Sequence, residues 1–110
     1  MSTLALSTKA TQNEIKSVTE HFQGYTKVVV DIEKEILCAG ADRHIDEEEM
    51  LLLDGSKQNN LWGGGVDMET HEIDYNSMIN LRPNQDNPSR DILSQEIRAK
   101  FDEIVTKIFI

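Results

Sequence analysis

Tyr25-Thr26-Lys27-Val28-Val29-Val30-Asp31-Ile32-Glu33-Lys34-Glu35-Ile36-Leu37-Cys38-Ala39 is the stretch that decides the fold. Its β-branched centre favours extended backbone. Strand side chains alternate between faces, so Val28, Val30 and Ile32 share one side and Lys27, Val29 and Asp31 the other. Ile36–Ala39 is a second short β-rich run. Only Glu33-Lys34-Glu35 separates the two, so they fold back as an antiparallel hairpin, although no Asn-Gly or Asp-Gly pair marks the corner.

On the N-terminal side, Thr11 stands three residues before Glu14, the spacing of a capping box that opens a helix. Ile15, Val18 and Phe22 form its apolar stripe, and Gly24 ends it. Residues 1–10 read as a flexible arm, and 11–110 as one domain.

On the C-terminal side, Asp42 to Glu49 reads as an acidic connection. Met50 to Leu53 reads as a strand covered on both sides, closed by the turn pair Asp54-Gly55. Leu61 to Val66 reads as another strand, with Trp62 in the core and Gly63-Gly64-Gly65 permitting a bulge or a close backbone approach. Over Glu72–Arg82, Ile73, Tyr75, Ile79 and Leu81 recur at period two, against Asp74, Asn76, Met78, Asn80 and Arg82. That pattern predicts a strand ending at Pro83. Ser94 caps a last helix running to Phe109, with Ile97, Phe101, Ile104, Val105 and Ile108 as its stripe.

These links are mostly too short for crossover helices. The expected fold is therefore α+β: a mostly antiparallel sheet of about five strands with the N- and C-terminal helices packed on one face. The other face is expected to be open and partly polar.

The chain has 110 residues and a formal net charge of −9. That charge argues against nucleic acid and against an anionic membrane surface as partners. A basic partner or plain solubility fits it better. Cys38 is the single cysteine, which points to a reducing cytoplasm. The first residues lack a basic region and a long apolar run, and no stretch approaches the roughly 20 apolar residues of a membrane span.

Little catalytic chemistry is legible. Asp42, His44, Asp46 and Glu48 would share one side of an extended segment and could face a cation, but no HExxH, CxxC or calcium-loop pattern accompanies them. A solvated acidic loop is the better account. No helix signal follows the triple glycine, as a phosphate loop would need. Cys38 lies in an apolar run, where a thiol packs as a small hydrophobe. No catalytic residue, metal ligand or cofactor is assigned.

The best constellation is Arg82 with Asn84, Gln85, Asn87, Ser89 and Arg90, continued on the strand by Asn76 and Asn80. Arginine offers a rigid fork for carboxylate or phosphate, and amides add oriented donors and acceptors. The same residue types also cap turns.

Asp54-Gly55-Ser56-Lys57-Gln58, Leu61-Trp62-Gly63 and Ile79-Asn80-Leu81-Arg82-Pro83 with Gln85, Asn87 and Ser89 resemble the signature stretches of a small uncharacterised family. Its members are bacterial and cyanobacterial proteins of about this length, classed as a domain of unknown function. The resemblance spans roughly residues 25 to 109 and implies no activity.

The resulting expectation is a small cytoplasmic, non-catalytic binding or protein-interaction domain. It would use the open sheet face and the 82–91 loop toward a protein or a small anionic ligand, with a homodimer as one use of that face. The alternative is a small-molecule enzyme for an anionic substrate, with Arg82 and Arg90 as clamps and His44 or His71 as base.

Overall fold

The hairpin forms where its pattern places it, as β2 (Tyr25–Asp31) and β3 (Ile36–Ala39), paired antiparallel with Val28 opposite Ala39 and Asp31 opposite Ile36. Its corner is built by a carboxylate. Asp31 Oδ1 accepts the backbone N–H groups of Glu33 and Lys34 at 2.9 Å each, and Glu35 takes a left-handed conformation, φ 58°. An acceptor side chain and one left-handed residue thus replace the usual Asn-Gly corner.

The computed structural model describes residues 3–20 and 23–110. The remaining elements are β1 (Leu4–Leu6), α1 (Gln12–Thr19), α2 (His44–Leu53), β4 (Leu61–Asp67), β5 (Ile73–Asp74) and α3 (Gln95–Phe109). The strands form one antiparallel sheet in the order β1-β3-β2-β4-β5. This is the expected α+β fold with five strands and a helix at each end of the chain.

The terminal helices are capped as their sequences require. Thr11 and Glu14 close a reciprocal capping box, and Ser94 Oγ accepts from Ile97 N–H. Both helices lie on one side of the sheet. There, Val28 and Val30 pack with Leu37, Trp62 and Val66, with Val18 of α1, and with Phe101, Ile104, Val105 and Ile108 of α3. Each such side chain stabilises the fold by roughly 1.5–3 kcal/mol. Phe22, expected in the α1 stripe, lies outside the described residues.

Four expectations are corrected. Residues 4–6 are not a loose arm: Leu4–Leu6 pairs with β3 as an edge strand, and Ala10 N–H donates to the Ile108 carbonyl at 2.8 Å. Residues 44–53 are a helix, neither acidic loop nor strand. It is required by topology, because β3 and β4 both run antiparallel to β2 and a chain joining them must cross the sheet.

Third, that crossover covers the face expected to be open. Leu51 of α2 packs on Val29, Cys38 and Leu61, with Ile36 and Ile79 beside them. Fourth, the strand expected over Glu72–Arg82 stops after Asp74. Asn76 then bridges Asp91, Met78–Asn80 makes a 3-10 turn capped by Ser77, and Arg82 bridges Asn87.

The triple glycine lets β5 and the segment after it lie close against β4. A Cβ on Gly64 would collide with the Asp74 carbonyl oxygen and sit 2.8 Å from Phe101; one on Gly63 would sit 2.7 Å from Ser77. The chain after β5 therefore passes against the bare β4 backbone instead of running beside it.

Candidate functional site

The sequence-derived constellation converges, but inward. Asn80 is fully buried. Its Oδ1 accepts from Gly63 N–H at 2.8 Å, and its Nδ2 donates to the carbonyls of Gly63, Tyr75 and Arg90 at 2.9 Å. Asn87, also buried, donates to the carbonyls of Asn80, Ser89 and Asp91 and accepts from Leu93 N–H. The two amides replace the backbone ladder where the strand pattern breaks off.

Arg82 is buried too. Its guanidinium donates to the Leu61 carbonyl at 2.6 Å and to the Gln58 carbonyl, and lies 4.0 Å over the Trp62 ring. Burial lowers its pKa, against an upward pull from Glu48. Asn76 donates to Asp91 Oδ1, Ser89 Oγ accepts from Asp91 N–H, and Gln85 reaches the Asn59 carbonyl. Asn84 and Arg90 have exposed side chains. The Arg82 fork, expected to face a ligand, is directed at the carbonyls of Gln58, before β4, and Leu61, at its start.

The feature that sequence reasoning missed is the orientation of α2. Its buried residues are Glu47, Glu48 and Leu51. Ile45, Leu52 and Leu53 fall at i, i+7 and i+8, one stripe of a 3.6-residue helix, and that stripe faces out: Leu53 is 84% exposed and Ile45 54%. An ordinary surface helix does the reverse. In the acidic first turn, Asp46 suits the N-terminal end of the helix dipole. The end is a Schellman motif: Gly55 at φ 100° donates to the Leu52 carbonyl, and Ser56 to that of Leu51.

The inward carboxylates are strongly perturbed. Burial pushes Glu47 up to about 9, only partly offset by its bond from Ala41 N–H and by Lys27. Its Oε1 is buried without a hydrogen-bond partner among the described residues. Burial also raises Glu48, with Arg82 pulling the other way. The Cys38 thiol is pushed up to about 12 by burial and by Glu47, and sits 3.2 Å from Met50 Sδ. It packs as the expected small hydrophobe.

Near the start of α2 lies a cavity of about 540 Å³, lined by Lys27, Arg43, His44, Ile45, Ser77, Met78 and Ile79. His44 Nε2 is 2.6 Å from the Gly64 carbonyl, and burial lowers the imidazole pKa. The helix also disperses the four residues that an extended segment would have aligned. His44 turns to Gly64, Asp46 pairs with Arg43 at 3.1 Å, Glu48 is buried and Asp42 is exposed.

A family model described as "Protein of unknown function (DUF5674)" matches residues 4–108. The chain belongs to the DUF5674 family. The match takes in β1 and extends further toward the N-terminus than the stretches quoted from the sequence. No curated protein and no solved structure matches the chain. Among the described residues, no helix is long and apolar enough to cross a membrane.

Proposed function

We propose that this member of the family is a non-catalytic protein-interaction domain, and that its docking surface is the outward face of α2. The observation that carries this reading is the reversed helix: carboxylates inward, leucines outward. Exposed apolar stripes of this kind mark interaction sites more often than isolated surface leucines do. Met78, 62% exposed, stands with Ile45 at the shared cavity, and Leu81 follows three residues later. Together they extend the apolar surface beyond the helix.

The rim selects the partner. Asp42, Glu49 and Asp54 are exposed around the stripe, and the net charge is −9. A second copy would bring like charges together, whereas a basic amphipathic segment would meet opposite ones. The occupant we assign is therefore a Lys- or Arg-bearing apolar helix of another protein, held as helix-in-groove ligands are. Gln85 donates to the Asn59 carbonyl, which ties the 82–87 loop to the segment just past α2. The lone buried thiol of Cys38 is in keeping with a reducing, cytoplasmic setting.

Calorimetric titration with an amphipathic Leu/Lys peptide tests this. Binding is expected, weakening with added salt and lost in the Leu52→Asp/Leu53→Asp double variant. A Leu/Glu peptide is expected not to bind. Equal binding by the double variant, or sedimentation as a dimer in place of peptide binding, would overturn the assignment.

A further inference from the structure

The cavity at the start of α2 holds polar groups that the docking surface does not use. Because a carbonyl can only accept, the 2.6 Å contact to Gly64 places the His44 proton on Nε2. Nδ1 is then a hydrogen-bond acceptor on a cavity-lining residue, with no protein donor to it among the described residues. Burial favours this neutral form of the ring.

Arg43 directs Nε and Nη2 at Asp46, and two further donors accompany His44. Lys27 Nζ gives one of its three protons to the Asp42 carbonyl at 2.7 Å, which leaves two. Ser77 Oγ accepts from Ile79 N–H at 3.2 Å, and its own proton goes to no protein acceptor among the described residues. Ile45, Met78 and Ile79 supply apolar wall. A volume of about 540 Å³ lies within the range of small-molecule sites, which combine apolar lining with a few converging polar groups.

We propose that this cavity is a binding site for a small organic acid: an anionic oxygen group on Lys27 and Ser77, an apolar body against Ile45, Met78 and Ile79, and a hydroxyl donating to His44 Nδ1. The site shares Ile45 and Met78 with the docking surface, but it is assayed on the free protein, so either reading can fail alone.

The probe is 2-hydroxy-4-methylpentanoate, compared with its deoxy analogue 4-methylpentanoate and with its neutral methyl ester. The readout is the His44 ring resonances by NMR. The hydroxy acid is expected to shift them saturably, with a Kd below about 1 mM. The deoxy acid and the ester are each expected to bind about tenfold more weakly, the effect of losing one directed polar contact. No saturable shift at His44, or equal affinity for all three compounds, would overturn the proposal. Lys27→Met gives a protein-side control: the preference for the acid over its ester should collapse, and an unchanged preference counts against the site.

Discussion

The side-chain amide of Asn80 and the backbone of Gly63 exchange two hydrogen bonds, one of 2.8 Å into Oδ1 and one of 2.9 Å from Nδ2. A neighbouring strand would make the same pair, so one side chain continues the sheet where β5 has ended. Removing it leaves the buried N–H and carbonyl of Gly63 unpaired, while the Tyr75 and Arg90 carbonyls keep the N–H groups of Ile92 and Ser77. Asn80→Ala should cost about 3 kcal/mol, read as a lower urea midpoint. Asn84→Ala, on an exposed side chain of the same loop, should stay within about 0.5 kcal/mol of wild type. Equal effects of the two would contradict the structural role given to Asn80.

Gly64 has no room for a side chain. An added methyl would meet the Asp74 carbonyl and the Phe101 ring, and neither is a flexible side-chain tip. Gly64→Ala should therefore destabilise by about 3 kcal/mol or more, as measured by thermal or urea unfolding. A variant as stable as wild type would show that the two chain segments can separate freely.

Glu47 makes stability fall with rising pH. Its ordinary value is 4.5, and burial raises it to about 9 in the folded chain. Between those values the folded state binds more protons than the unfolded one. Stability should accordingly drop as pH rises through that window, by up to about 1.4 kcal/mol per pH unit from this residue. Glu48 shifts in the same direction. Glu47→Gln should flatten the dependence in denaturant titrations across the window. An unchanged slope in that variant would place the pH dependence elsewhere.

Leu51 and Leu53 are two residues apart and should behave oppositely. Leu51 is fully buried and Leu53 is 84% exposed. Leu51→Ala should cost about 3 kcal/mol, whereas Leu53→Ser should change stability by less than about 0.5 kcal/mol. Unfolding curves of the two variants settle the orientation of α2. A reversed ranking would mean that the helix packs by its other side.

Much of this fold was legible before the structure. The hairpin, both terminal helices, their caps and β4 follow from alternation, stripe spacing and capping residues, all of which are local signals. What stayed hidden was non-local. The period-two run from Ile73 to Leu81 is a genuine pattern, but the backbone crowding at Gly63–Gly65 and the amides of Asn80 and Asn87 bend it out of the sheet. Nothing within that run reports on β4.

Helix α2 escaped for a different reason. Sequence reading assigns carboxylates outward and leucines inward, so Glu47-Glu48-Glu49 read as a solvated loop and Met50–Leu53 as a buried strand. The element violates that rule, and local rules are broken most informatively at functional surfaces. Arg82, Asn80 and Asn87 were picked out for their polar capacity and do converge; their partners proved to be backbone groups of the same chain. His44 was weighed as a metal ligand or a base. Its contact with Gly64, twenty residues away, is the relationship that only the structure supplies.

We propose that partners dock on the outward face of α2. Amide hydrogen exchange, measured with and without the Leu/Lys peptide, tests it most directly. Added protection is predicted in residues 44–53 and 78–81, with residues 95–109 on the opposite side of the sheet unchanged. Protection confined to 84–90 or to the terminal helices, or none at all with peptide bound, would contradict it.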